Sequence, residues 1–565
     1  MKNYYEKASK QRYIYFFIGL VVIAAVTLPR LIHLDADPQP GFIPLDVGYQ
    51  IDEGYKTFAP KNLLVFGKQI WNPEDQYSGW MQSSPVTQWA YYLAFNRMEL
   101  NLKSARTVSV IYFALFLTIT LILLVRRYGI VLALTGVLLL ATDAALFYFS
   151  RSALFETAMI LFVYTGILLT TLIPNNKPLN AAAIMVAVAL IAMFTVKLTA
   201  VLYFTPPLIA CALVISLDAG RRKYIYFSAL ALPIVIMAFI TRNEWLWHIS
   251  WDTLGDVPER FLLNPMPELT PFALLLAYSC ILHLLLVKPV LLNNIYRLSL
   301  AAMIIGTPLI LSFFPNYNPP RYYVALVPAC LLIFVEWLHL KPWRESEFTS
   351  FSIAKIIAIT VVFIPFTMLL LRAINILVLI NLPFSMGEDP GIDITTQYKL
   401  LPLFLLGLLI VYYAARDSAI KSLGLAIPLL GFVNLSAGIA AQADTLLHPS
   451  YDSQIIRKQL SALITDAESV AGDWAPFFTA EAPIRSFYMS KGINFPTEEH
   501  ISKIRPDYFL DSGTPFDRKS LRSLQANRNI RLSDPILLGT YMEHEVSIYQ
   551  IEYLVDKQTS VLLHN

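Results

Sequence analysis

The stretch QIDEGYKTF, Gln50 to Phe58, sets two carboxylates, Asp52 and Glu53, side by side, with Asp46 just upstream. Such a pair is either a solvated acidic turn or a working site. An ionised carboxylate within reach of a hydroxyl can serve as a general base. In the working reading Asp52 is that base, and Glu53 orients it or holds a divalent ion. Further along, FYFSRSALFETAMILF carries Arg151 and Glu156 at the edge of an apolar run. Ionisable groups at that depth are costly and usually face a cavity. The two either position a substrate or form an ion pair that staples the helix end. Lys197, in MFTVKLTAV, has apolar residues on both sides. It either snorkels to an interface or receives the charge of an anion. Arg321 follows NYNPP and precedes Tyr322 and Tyr323. Proline would pin the backbone there, and a planar guanidinium suits a phosphate, although Arg and Tyr also anchor helix ends at membrane surfaces. Arg242 and Arg260 are secondary candidates. His248 and His283 read as hydrogen-bonded structural residues, and no metal ligands are assigned.

The elements that would carry these residues follow from composition. Only 15% of the 565 residues are charged and 56% are hydrophobic, against roughly 25% charged in soluble domains. The net charge of +3 is too small to suggest a nucleic-acid partner. Cys211, Cys280 and Cys330 lie inside apolar runs and read as small core residues. Apolar runs of spanning length predict helices at about 13–33, 104–125, 130–149, 153–173, 179–194, 198–217, 224–241, 270–288, 295–314, 322–340, 352–380, 398–415 and 419–440. The first reads as an anchor and not as a cleaved leader, because its core is long, contains Arg30 and lacks a small-residue cleavage site.

Thirteen spans put every second connection on one side, and those connections are short and basic. They hold Arg126 and Arg127, Lys177, Arg221 to Lys223, Lys288 and Arg297, Lys341 and Arg344, then Arg416 and Lys421, matching Lys2, Lys7, Lys10 and Arg12 in the N-terminal tail. The positive-inside rule therefore orients the N-terminus to the cytoplasm, in an inner or plasma membrane, and puts the loop 34–103 and the tail outside. Residues 1–440 form the membrane domain and 441–565 an extracytoplasmic soluble domain. In the loop, EGYKTFAPKNLLVFGK has helical apolar spacing interrupted at Pro60. In the tail, SQIIRKQLSALITDA is amphipathic, SVAGDWA and PDYFLDSG look like strand ends, and PILLGTYMEHEVSIYQIE ends in a hairpin, which together predict an α/β or α+β domain.

With these segments in order, the chain resembles the GT-C membrane glycosyltransferases, most closely the dolichyl-phosphate-mannose protein mannosyltransferases and the lipid A aminoarabinose transferases. DEGY (Asp52 to Tyr55) is similar to their first-loop acidic motif. SSPVTQWAYYLAFNRMELNLKSARTVSVI resembles the proline-led helix and the entry to the second span at Arg106. The Arg151–Glu156 stretch resembles the second acidic site, and FTVKLTAVLYFTPP and NPPRYYVALVPA resemble the lysine and arginine–tyrosine motifs of later outer loops. The resemblance covers about residues 10 to 340. Ser83 and Ser84 precede a lone Pro85 where the aminoarabinose transferases carry a lysine and a double proline, which argues against lipid A as acceptor. The WWD-type motif of oligosaccharyltransferases is missing, which argues against en bloc transfer to asparagine.

The resemblance implies an inverting transfer of one sugar from a polyprenyl-phosphate donor to a hydroxyl of a protein, lipid or glycan. It implies Asp52, Glu53 and Glu156 as catalytic residues, and Lys197, Arg321, Tyr322 and Arg151 around the donor phosphate. Two rivals stand beside it: a transporter or flippase of lipid-linked sugars, and a catalytically dead glycan receptor. Transporters tend to show related halves and broken mid-membrane helices; no internal repeat is evident here, and the charged residues cluster at one face.

Overall fold

The computed structural model describes residues 17–37, 48–70, 72–75, 81, 84–174, 177–197, 199–218, 269–287, 294–312, 320–342, 416–464, 468–489, 494, 497–542 and 544–554. The expected spans at 224–241, 352–380 and 398–415, together with Asp46, Ser83, Arg242, His248 and Arg260, lie outside the described residues.

Among the described residues four helices are long and apolar enough to cross a membrane by length and composition: Leu102–Tyr128, Pro178–Thr195, Ile295–Ser312 and Ala426–Leu447. Shorter apolar helices, Phe17–Leu31, Glu156–Leu172, Ala200–Ala212, Pro271–Leu285 and Val324–Leu340, stand where the sequence predicts further spans. The straight span expected at 130–149 is instead two helices, Ile130–Thr142 and Ala144–Ser150, bent by 67°. Asp143 makes the bend: it ends the first helix and caps the second, its carboxylate accepting the Leu146 N–H at 3.1 Å. The last of these helices runs from Arg416 to Leu447, past the end expected at 440.

Apolar side chains point both ways from this bundle. Inward, they form one large core that runs from Ile23 through Phe113, Tyr164 and Leu300 to Trp337. Outward, Ile111, Leu115, Val131, Ile191, Phe194 and Phe432 are exposed. Such a surface is unfavourable in water and neutral against lipid tails, where every backbone group must still be bonded internally. The bundle meets that demand where its helices break. Tyr164 donates its hydroxyl to the Ala325 carbonyl at 2.6 Å and accepts the Ala329 N–H at 2.8 Å, covering the irregular turns before Val327–Leu340. At one end of the bundle Glu336, fully buried, pairs with Arg127 at 2.8 Å and with Arg297 at 3.5 Å. Arg127 and Arg297 come from two connections that the sequence assigns to a common side, and Glu336 lies in the last turns of the helix before a third, at Lys341 and Arg344.

The C-terminal region begins with the amphipathic helix Asp452–Leu463 and builds a mixed sheet. Its strands are β1 (Ser469–Gly472), β2 (Arg485–Tyr488), β3 (Tyr508–Asp511), β4 (Ile530–Leu532), β5 (Ile536–Tyr541) and β6 (His544–Tyr553). The order is β2-β1-β3-β6-β4, with β5 also on β6. The first three are parallel, and β5–β6 is the expected hairpin.

A 19-residue helix, Gly48–Phe66, joins the two regions. Ile51, Tyr55 and Phe58, one stripe at helical spacing, share a core with Ile456, Leu460, Trp474, Phe477 and Tyr541 of the C-terminal region. Pro60 does not interrupt this helix, contrary to the sequence expectation. Proline lacks the N–H that would bond the Lys56 carbonyl one turn back, and Gln88 supplies the donor instead, its Nε2 lying 2.6 Å from that oxygen. Gln88 belongs to the helix Pro85–Arg97, packed alongside.

Candidate active site

Five segments, distant in sequence, bring their charged groups to one place. The Gly48–Phe66 helix contributes Asp52, Glu53 and Lys56. The helix Glu156–Leu169 contributes Glu156 in its first turn, where a carboxylate complements the helix dipole. Lys197 comes from the break between Pro178–Thr195 and Ala200–Asp218, and Arg321 and Tyr322 from the short turn Pro320–Tyr322. Arg106 stands near the start of Leu102–Tyr128. All but the half-buried Arg321 are buried.

Asp52 forms an ion pair with Arg321. The Arg321 guanidinium lies 5.1 Å from the centre of the Tyr322 ring, and its Nη2 is 3.5 Å from the Tyr322 hydroxyl. On the same ring, at 4.5 Å, sits the Lys197 ammonium, which donates to Glu156 Oε1 at 2.6 Å. Both cations thus lie over the Tyr322 ring, and the Tyr322 backbone is held by Tyr203, whose hydroxyl donates to the Tyr322 carbonyl at 2.5 Å. Asp52, Glu156, Lys197, Arg321 and Tyr322, all singled out from the sequence, meet in one cluster.

Glu53 and Arg151, though nearby, are engaged differently. Arg106 grips Glu53 with two bonds, Nε to Oε1 at 2.9 Å and Nη2 to Oε2 at 2.6 Å, and uses Nη1 for the carbonyls of Leu34 and Ala36. The Ala153 N–H completes the shell at 2.6 Å. The fork fixes the helix that carries Asp52 to Leu102–Tyr128, and the Ala153 bond fixes it to the segment preceding Glu156. Arg151 donates to the carbonyls of Pro29, Arg30, Ile32 and His33, at 2.8 to 3.4 Å, and so ties down the turn after the first apolar helix. It does not pair with Glu156; Lys197 does. His283 accepts from the Trp337 indole N–H at 2.9 Å inside the bundle.

One residue escaped the sequence reading. Lys56 is one helical turn beyond Asp52, buried, with its ammonium 5.1 Å from the Phe155 ring. Burial and the charge of Lys197 pull its pKa down to about 8, against the opposing pull of Tyr322 and Glu156. The signal was the spacing of four from Asp52, one helical turn, in the part of the helical pattern that precedes Pro60.

A divalent ion needs convergent oxygen ligands. Asp52 and Glu53 turn to separate arginines, so the acidic pair does not fit one. Among the described residues no group of three or more His, Cys, Asp or Glu side chains could hold a metal ion.

No protein-family model matches the chain, and no curated protein matches it. Among solved structures it is similar to ArnT from Cupriavidus metallidurans bound to undecaprenyl phosphate, with 12% identity, a TM-score of 0.48, and 96% of this chain and 98% of that chain covered. The apo state of the same protein gives 11% identity, a TM-score of 0.49 and the same coverage. An Archaeoglobus fulgidus oligosaccharyltransferase in complex with Zn and sulfate gives 12% identity and a TM-score of 0.32, with 87% of this chain and 67% of that chain covered.

Proposed function

We propose that the chain is a multi-pass membrane glycosyltransferase that moves one sugar from a polyprenyl phosphate to an acceptor hydroxyl on the extracytoplasmic side. One observation carries the reading: a carboxylate, Asp52, shares a buried cluster with the cations Arg321 and Lys197, arrayed on the Tyr322 ring. A carboxylate beside fixed cations is what a displacement at a sugar phosphate requires: a proton acceptor on one side and charge for the leaving group on the other.

The incoming phosphate draws Arg321 toward itself, which frees the Asp52 carboxylate. Asp52 takes the proton of the acceptor hydroxyl as its oxygen attacks the anomeric carbon. The bond from that carbon to the phosphate oxygen breaks, and the electron pair leaves with the lipid phosphate, stabilised by Lys197 and Arg321. A single displacement of this kind inverts the anomeric centre. Glu156 holds Lys197 in place, Glu53 orients the helix of Asp52 through Arg106, and Arg151 braces the adjoining turn. The soluble domain, packed on the other face of that helix, stays outside the membrane beside the acceptor, while the N-terminus is cytoplasmic.

The test is transfer by purified protein in lipid nanodiscs, supplied with polyprenyl-phosphate sugars and candidate hydroxyl acceptors. Product is expected from the wild type. Asp52→Asn should lower the rate by about 10²–10⁴-fold, the usual worth of a general base, and Lys197→Ala should weaken donor use more than acceptor use. Movement of the lipid-linked sugar across a vesicle bilayer without product would favour a transporter. Wild-type turnover in Asp52→Asn would remove that residue from the chemistry.

A further inference from the structure

The C-terminal region meets the bundle beside the helix of Asp52, and one side chain stands at that junction. Arg457, on the helix Asp452–Leu463, is buried, and its two terminal nitrogens serve different partners. Nη1 donates to Glu481 Oε1 at 2.6 Å, while Nη2 donates to the Ser453 hydroxyl and lies 3.9 Å from Asp37 Oδ1. A planar guanidinium holds two such directions at once, which an ammonium on a flexible stem does not. The guanidinium also lies 5.1 Å from the centre of the Phe477 ring.

Each direction leads to Arg106. Along the first, Glu481 Oε1 accepts the Leu102 N–H at 3.0 Å. Leu102 opens the helix that carries Arg106 one turn later, and a carboxylate at that end complements the helix dipole. Along the second, Asp37 accepts the Ser453 N–H at 2.9 Å and the Ser453 hydroxyl, and its own N–H donates to the Ser450 carbonyl at 2.8 Å. These bonds seat the 34–37 segment, whose Leu34 and Ala36 carbonyls accept from Arg106 Nη1 at 3.0 and 2.6 Å. Arg106 in turn forks Glu53, the residue after Asp52. Phe477 adds a third support, since its backbone N and Cα lie 2.3 Å from where a Cβ on Gly54 would stand. A helix bonded from each residue to the fourth before it is stiff over one turn, so whatever fixes Glu53 and Gly54 fixes Asp52.

We propose that Arg457 is a positioning residue for Asp52: it holds Arg106 through Glu481 and through Asp37, and thereby sets the helix that bears the base. The inference rests on the transfer reaction, and on Asp52 as its base, argued in the preceding subsection.

The test is steady-state transfer by the full chain in nanodiscs. Donors are polyprenyl-phosphate hexoses and pentoses, and acceptors are hydroxylated lipids, glycans and peptides. Arg457→Met and Arg457→Lys are measured alone and combined with Asp52→Asn, with rates taken per folded protein, counted by the protection of the buried cysteines from a thiol dye. Arg457→Met should lower kcat by about 10–100-fold with the donor KM unchanged, because a misplaced base is felt in the transition state and not in donor binding. Arg457→Lys, which keeps the charge and one partner, should lose less; if the methionine variant fails to fold, the lysine variant carries the same comparison. In the Asp52→Asn background neither change should lower the remaining rate further, because residues that act as a unit are not additive. A merely structural role would lower the rate by the same factor in both backgrounds. That result, or wild-type kcat in the folded Arg457 variants, overturns the inference and leaves the transfer reaction standing. Absence of transfer by the wild type with every donor and acceptor overturns both.

Discussion

Replacing Arg106 with methionine removes a guanidinium that is 1% exposed and bonds four acceptors, while leaving its volume largely filled. Glu53, fully buried, would keep the Ala153 N–H as its donor. Removing one partner of a buried ion pair costs about 3–5 kcal/mol, because the remaining charge is left uncompensated. The two carbonyls, Leu34 and Ala36, lose a donor as well, adding about 1 kcal/mol each if nothing replaces it. The double change Glu53→Gln with Arg106→Met removes the stranded charge, so it should be more stable than the single change by about 1–3 kcal/mol, the size of coupling expected between contacting residues. Cys211, Cys280 and Cys330 are all buried free thiols, which provides the assay: a thiol-reactive fluorogenic dye reports unfolding in detergent as the cysteines are uncovered. The expected order of melting midpoints is wild type, double variant, then Arg106→Met. A single variant that melts at or above the double would refute the assignment of Glu53 and Arg106 as a compensated structural pair.

Other consequences follow from the interface between the Gly48–Phe66 helix and the C-terminal sheet region. At Gly54 an added Cβ would lie 2.3 Å from the backbone N and Cα of Phe477, so Gly54→Ala should cost about 1–3 kcal/mol and loosen this packing, seen as faster hydrogen exchange over Ala475–Phe478. Lys61 reaches across to the carbonyls of Thr479 and Ile484, at 2.5 and 2.8 Å, and burial lowers its pKa from 10.5 to about 7. The unfolded chain therefore binds more protons than the folded one between these values, and stability should rise with pH from about 7 toward 10.5; Lys61→Met should flatten that slope in dye-monitored melts. Gln88→Ala should cost about 1–2 kcal/mol by uncovering the Lys56 carbonyl, but less in a Pro60→Ala background, where the restored backbone N–H supplies the bond; equal costs in both backgrounds would show that Gln88 acts otherwise.

Much of the site was legible because charge inside an apolar chain is conspicuous. Lys197 and Glu156 stand out against the runs that flank them, and Asp52 and Glu53 open a polar loop after the first such run. What spacing could not reveal was pairing. Arg151 and Glu156, close in the chain, turn to different partners: the carbonyls of the 29–33 turn for one and Lys197 for the other. Glu53, next to Asp52, faces another way, because neighbouring residues on a helix point about 100° apart.

Pro60 is the clearest case of local propensity overruled from outside. Taken alone it should break the helix; with Gln88 covering the orphan carbonyl, the helix continues to Phe66. The sequence by itself determined the apolar helices, the position of charged groups at their ends and the strand pattern of the tail, since each depends on residues within a few turns of one another. The tertiary structure alone decided which cation meets which carboxylate, and that the C-terminal sheet region packs against the helix bearing Asp52. Those contacts join segments far apart in the chain, and their energies depend on burial that no short window of sequence contains.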